Sequence, residues 1–314
     1  MGQLLGRRLL GAVPVLIIVS TLVFLLTFLI PGDPAFTIAG ESASPEQIEQ
    51  TRERLGLNDS VLEQFGTWVG SALQGDLGTS LFSSQSVVAA ILDRAPVTIL
   101  LTLGALLVAT LIGVPAGILA AVRQGSSVDK AVTLGTSLGV ATPNYFLGLM
   151  LVLVFALRVP LFPATGYVPL ADGVVPWFQH LVLPCVTLGL SAAAVVTRQL
   201  RSSLSGVLAL DYVKMARAKG MRGRVVVGKH ALKNALVPVV TVLGTQMAFL
   251  LGGTVLIEQI FGLPGIGSLA FNAVTTRDIP MIQGVVLFSA VLVLLVNLVV
   301  DISYGWLNPK VRAA

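Results

Sequence analysis

Few residues in this chain have the types needed for covalent chemistry, and their spacing argues against it. Gly223–His230 (GRVVVGKH) nearly matches a phosphate-binding loop. It places His230 where a Ser or Thr must ligate magnesium, and it sits at an expected membrane boundary rather than between a strand and a helix. Gly265-x-Gly267-x-x-Ala270 imitates a dinucleotide fingerprint outside any βαβ unit. His180 and His230 fall on opposite sides of the expected membrane and cannot share a metal. The single cysteine, Cys185, excludes a disulfide framework and a multi-Cys metal site. No Ser/His pair or paired carboxylates occur within the apolar segments, which argues against an intramembrane hydrolase. The expectation is a chain with no catalytic residue, no metal and no cofactor of its own.

The chemistry that remains is electrostatic. Residues 198–234 carry Arg198, Arg201, Lys214, Arg217, Lys219, Arg222, Arg224, Lys229 and Lys233 against one acid, Asp211. By the positive-inside rule this loop is cytoplasmic. Asp211 is read as capping a helix that ends at Gly220, and Val213 and Ala216 form an apolar stripe that this helix presents, with its basic flanks, to a partner. A helical cytoplasmic loop of this kind docks onto a cytoplasmic partner or rests on anionic lipid.

Inside the membrane, ionisable residues are functional candidates. Glu258 lies at the outer end of the fifth apolar segment and Asp301 at the inner end of the sixth, one turn after Asn297. For Asp301, helix–helix hydrogen bonding is the favoured reading. Thr142, Pro143, Asn144 and Tyr145 cluster in the third segment. A proline there interrupts the backbone ladder, which is tolerable only beside protein or a water-filled path. Pro143, Asn144, Gln246 and Glu258 are therefore the candidate path residues. No ordered row of membrane carboxylates supports a proton- or sodium-driven mechanism.

The elements that position these groups follow from composition. The 314 residues are 55% hydrophobic and 11% charged, with mean hydropathy +0.90. A soluble domain carries about 25% charged residues, so the class is an all-α integral membrane protein. The sequence pI near 9.7 reflects the basic inner loops rather than nucleic-acid binding. Six segments are long enough to cross: Leu9–Ile30, Val97–Val122, Ala131–Leu157, Leu181–Val196, Ala235–Ile260 and Gly284–Ser303. Each approaches the roughly 20 helical residues that span about 30 Å of hydrocarbon; the fourth is read as the shortest. The first is too long for a signal-peptide core. With both termini inside, fifteen of the 20 Lys/Arg lie on the inner side, and nine acids fall in the first outer loop.

That outer loop opens with Pro31–Pro34, which stops the first helix. Ser44-Pro45-Glu46-Gln47 reads as an N-cap, an N1 proline and a capping box for a helix to about Leu55. Val61, Leu62, Phe65, Trp68, Val69, Ala72 and Leu73 share one face of a second helix. That face suits an interfacial helix with Trp68 in the aromatic belt, or a docking platform. Gly113/Gly117 and Gly135/Gly139 form small-residue packing faces, and Pro184 and Pro238 bend their segments.

The loop DYVKMARAKG (211–220) followed by HALKNALVP (230–238) resembles the coupling loop of binding-protein-dependent ABC importer permeases. It is most similar to the B-type subunit of the dipeptide, oligopeptide, nickel and glutathione importers. IPGDP (30–34), LGLNDS (55–60), GDLGTS (75–80), LPCVTLGL (183–190), FGLPGIGSL (261–269), RDIP (277–280) and NLVVDISY (297–304) extend the resemblance over nearly the whole chain. The general importer pattern, Glu-Ala-Ala then three residues and Gly, survives only as Ala216 and Gly220. The altered form is read as a mark of the peptide-importer branch.

The resemblance implies a type I ABC importer permease fold with six helices, N-in/C-in, in the cell's inner membrane. It implies a first helix within 1–30, an extracytoplasmic loop over 31–96 and a core over 97–314. Asp211, Tyr212, Ala216, Arg217, Ala218, Gly220, His230, Leu232 and Asn234 would couple to an ATPase. The implied partners are a homologous second permease, two cytoplasmic ATPases that hold ATP and magnesium, an extracytoplasmic solute-binding protein and the bilayer, with no nucleic acid. The implied cargo is a peptide or peptide-like solute. The alternative is a self-contained ion-coupled secondary transporter or channel.

Overall fold

The computed structural model describes residues 2–28, 34–40, 43–54 and 56–307. The helices run in the order α1 (Gly2–Thr27), α2 (Pro34–Ala39), α3 (Pro45–Arg54), α4 (Val61–Leu73), α5 (Val87–Val122), α6 (Ser127–Ala141) and α7 (Asn144–Val152). They continue as α8 (Val174–Leu208), α9 (Asp211–Ala218), α10 (Gly223–Val225), α11 (Leu232–Phe261), α12 (Ile266–Thr276) and α13 (Ile279–Leu307). π-helical segments at Leu153–Arg158 and Val226–Ala231 extend α7 and lead into α11. Among the described residues no strand forms beyond an isolated Thr79–Ser86 bridge.

Among the described residues, five helical stretches are long and apolar enough to cross a membrane, and a sixth exists if a bent pair counts as one span. The bent pair corrects the third expected segment. α6 stops at Ala141, and the chain restarts at Asn144 at an angle of 102°. Thr142 N still donates to Leu138 O at 2.9 Å. Pro143, which has no N–H to donate, is extended (ψ 136°) and becomes the N-cap of α7. The fourth segment is not short, since α8 has 35 residues. Polar residues at its ends, among them His180, Arg198 and Arg201, interrupt the apolar run without ending the helix. For the same reason α5 begins at Val87, before Asp93 and Arg94. Pro184 and Pro238 lie inside uninterrupted helices. Residues 30–33 of the IPGDP motif lie outside the described residues, as does Leu55.

The chain divides into two compact units. In the first, Met1–Pro96 with Ser268–Leu294, the expected Ser44 capping box forms, with Ser44 N donating to Gln47 Oε1 at 2.9 Å and Gln47 N to Ser44 Oγ at 3.3 Å. A second box, unread in the sequence, starts α4 through Ser60 and Glu63. The Ser60 hydroxyl, and then its backbone N–H, hold the Glu63 carboxyl below its usual range. The α4 face is partly covered by α1, with the Phe24 ring 5.3 Å from Phe65 and 6.0 Å from Trp68. Trp68 therefore packs on protein, while Leu62 and Leu73 remain exposed. GDLGTS and RDIP, 198 residues apart at their contact, meet where the Ser80 hydroxyl donates to the Asp278 carboxylate. Leu81 N and Met281 N donate to Asp278 Oδ1, so this buried acid also caps α13.

In the second unit, Val97–Gly267 with Leu295–Ala314, α8 is central and packs on α6, α7 and α11. Leu101, Leu188, Ile257 and Phe261 are among its fully enclosed core side chains. α5 approaches α8 with almost no space for side chains. A Cβ at Gly113 would lie 2.9 Å from Val196 Cβ, and one at Gly117 would lie 2.9 Å from Leu200 Cβ. One at Gly189 would lie 2.6 Å from Val108 Cβ and 2.8 Å from Ala105 O. The expected Gly135/Gly139 face is half realised. Gly139 meets Ala194 at 3.2 Å, whereas nothing lies within 4 Å of Gly135. Gly189→Ala should therefore destabilise the detergent-purified chain by about 1–3 kcal/mol through overpacking, and Gly135→Ala should leave it unchanged. Thermal denaturation monitored by size exclusion checks both.

Candidate functional site

The basic loop is built around α9. Its N-cap residue is Leu210, which offers no side-chain hydrogen bond. Asp211 is the first helical residue and pairs with Lys214 at 2.9 Å, so the expected side-chain cap is not made. The carboxylate still sits at the positive end of the helix dipole. α9 ends as the sequence predicts. Gly220 has φ +79°, its N–H donates to Arg217 O at 2.9 Å, and Met221 N donates to Ala216 O at 3.3 Å. An added Cβ there would meet nothing within 4 Å. The demand for glycine is conformational rather than one of space.

The apolar stripe faces the other way from the expectation. Val213 is 0% exposed and Ala216 8%. They pack on Val226, Val207, Leu208 and Met221 of this same chain. An apolar stripe in a short helix is covered by the nearest apolar surface, and here that is the end of α8. The outer face is Met215, 59% exposed, among the exposed Lys214, Arg217, Ala218 and Lys219.

Three candidates from distant parts of the loop converge. The Tyr212 hydroxyl donates to His230 O at 3.1 Å and accepts from Asn234 Nδ2 at 3.0 Å. His230 is the penultimate residue of the π-helical segment, and its Nε2 is buried with no hydrogen-bond partner among the described residues. Leu232 packs into the cluster of Val196, Leu200, Leu204, Ala235 and Val239.

A polar pair missed by the sequence reading anchors α8 nearby. Asp129, 3% exposed, accepts from both Arg201 Nε and Arg201 Nη2, the latter at 2.8 Å. It also accepts from Gly125 N at 2.9 Å, while its own N–H donates to Ser126 Oγ. The pair closes the α5–α6 turn onto α8. The one available signal was an acid three residues after Ser126 in a basic stretch.

The four path candidates occupy different settings. Pro143 and Asn144 sit at the 102° break, and Pro143 is exposed. Gln246 is partly exposed on α11. Glu258 is 0% exposed. Thr98 Oγ1 donates to its Oε1 at 2.7 Å and accepts from Ile266 N at 2.8 Å. The FGLPGIGSL turn closes over it so tightly that a Cβ at Gly265 would run into the Glu258 carboxylate. One at Gly267 would lie 2.9 Å from Glu258 Oε2. Glu258 thus fastens a turn and opens onto no solvent here. The side chain of Asp301 lies outside the described residues.

Residues 113–313 match the family described as binding-protein-dependent transport system inner membrane component. Residues 1–102 match the N-terminal membrane component of the same systems. The chain belongs to this family of ABC importer permeases. A protein of Brucella abortus (strain 2308), named as a peptide transport system permease protein, is 41% identical over 312 residues, 99% of each chain. The glutathione transport system permease protein of Escherichia coli (strain K12) is 42% identical over 307 residues, 98% of this chain and 97% of its own. Among solved structures, the inward-facing methionine ABC transporter MetNI shares the fold. Its TM-score is 0.57 at 18% identity, covering 69% of this chain and 96% of that one. This permease is therefore a multi-pass inner-membrane subunit of a binding-protein-dependent importer.

Within the permease, Asp129→Asn should cost about 1–3 kcal/mol by leaving a partly buried Arg201 half-paired. Exchanging the two residues, Asp129→Arg with Arg201→Asp, should recover part of the loss. Melting of the purified single and double variants reads the outcome.

Proposed function

We propose that this permease forms, with a homologous second permease, the path of an ATP-driven importer for peptides or peptide-like solutes. Six spans with both termini in the cytoplasm put the loop 198–234 beside two ATPase subunits. An extracytoplasmic binding protein delivers solute to the opposite side. α9 is the coupling helix. ATP and magnesium belong to the ATPases, and this chain does no covalent chemistry. The names of the relatives from Brucella abortus and Escherichia coli support the cargo class.

The observation that carries the coupling role is the surface of α9. Its apolar stripe is already used within the chain, its end is fixed by the left-handed Gly220, and Met215 stands outward among basic residues. An exposed apolar side chain ringed by cations on a rigid short helix suits an acidic-rimmed groove on a partner.

Native mass spectrometry of the tagged permease, expressed with its genomic neighbours, should give one further permease and two ATPases. A chain that never retains an ATPase at low detergent overturns the reading and favours ion-coupled transport. Gly220→Asp forces a side chain onto a left-handed backbone and adds negative charge to a basic surface. It should leave membrane insertion intact and abolish uptake of labelled dialanine or glutathione, and normal uptake would sink the assignment. For orientation, Arg224→Cys should react with a membrane-impermeant maleimide only in inverted vesicles, and Asp172→Cys only in right-side-out ones. The native Cys185 is buried and should stay silent.

A further inference from the structure

α9 is attached to its own chain in two physically different ways. Val213 and Ala216 lie against Val207 and Leu208 at the end of α8, and against Val226 at the start of the π-helical segment. Such apolar contact is non-directional and tolerates sliding. The connection to α11 is of another kind. The chain between them turns at Gly220 and then changes hydrogen-bond register through the π-helical segment Val226–Ala231. Both features interrupt the α-helical ladder between α9 and α11, the glycine by a left-handed turn and the π segment by a change of register. Across this interrupted stretch stands one phenol. Tyr212 Oη donates to His230 O, 18 residues on, and accepts from Asn234 Nδ2, 22 residues on. Hydrogen bonds are directional in a way that apolar contact is not. The ring that carries this hydroxyl has only two side-chain torsions.

We infer that the Tyr212 hydroxyl is a positioning group that fixes the azimuth and distance of α9 relative to the start of α11. Movement of α9 is thereby delivered to α11 instead of being absorbed at Gly220. The inference rests on the reading of α9 as the coupling helix. It adds that α9 is held in direction relative to α11 through Tyr212 and Asn234, while Val213 and Ala216 serve to seat it on α8 and Val226.

The test uses the assembled complex in nanodiscs, with spin labels at Lys219→Cys and Thr245→Cys, both exposed positions. A control pair at Arg198→Cys and Thr245→Cys reports how α8 sits against α11. Pulsed-dipolar distances are read without nucleotide and with ATP plus vanadate. With Tyr212 intact, the 219–245 distribution should stay narrow in both states. Tyr212→Phe, which removes one oxygen and keeps the ring, should broaden or shift it by several ångströms once nucleotide is bound. Asn234→Leu should do the same, and the double variant should be no worse than the stronger single variant. The 198–245 control should not move. Unchanged 219–245 distances in Tyr212→Phe overturn the inference. So does a parallel change in the control pair, which would make the hydroxyl merely structural. If the unsubstituted complex holds no ATPase, the coupling-helix reading itself has failed. An assembled complex with unchanged distances removes only the role of Tyr212.

Discussion

The structure depends on how closely α5 and α8 approach. In lipid there is no hydrophobic drive between helices, so association must come from packing. Here it comes from missing side chains. Gly113 and Gly117 on α5 accept Val196 and Leu200 of α8, and Gly189 on α8 accepts Val108 and Ala105 of α5. Gly104 likewise accepts Cys185. The recesses run in both directions, so neither helix can rotate or slide without a clash. With α8 fixed in this way, its far end becomes a firm base. Arg201 holds the α5–α6 turn there through Asp129, and Val207 and Leu208 seat α9.

Buried polar groups serve a second purpose, which is to fasten loops. Glu258 and Asp278 are both nearly inaccessible acids, and each receives a hydroxyl from a residue far away in sequence, Thr98 and Ser80 respectively. A buried acceptor without partners is costly, so each acid specifies one arrangement of the segment around it. Membrane carboxylates invite a transport role by default. For Glu258 the glycines of the turn lie directly against the carboxylate.

Local chemistry was readable from the sequence, and tertiary choice was not. The Ser44 capping box and the left-handed Gly220 each depend on residues within three or four positions, and both formed. The family motifs also carried their message, because RDIP and GDLGTS meet through Asp278 and Ser80. The Asp129–Arg201 pair joins residues 72 apart, and no local pattern marks such a partner. The stripe of Val213 and Ala216 was visible, but periodicity reports only that a face is apolar. It does not say whether the cover is a partner or the chain's own α8. Pro143 was legible as a break. The size of the turn it makes depends on what the two half-helices pack against.

The π-helical segment at Val226–Ala231 carries one residue more per turn than its neighbours, as a single insertion into an ordinary helix would leave. A residue occupies about 100° of helical arc. The direction in which the basic loop leaves α11 is thus encoded by residue number as much as by residue type. Deleting one position in this stretch would let the ladder close as plain α-helix with the loop still leaving in nearly its present direction, whereas a deletion within the α-helical part of α11 would swing everything before it by about 100°. The π-helical segment thus acts as the place where a change of length by one residue is taken up, and the same change elsewhere in α11 would turn the loop without altering a side chain in it.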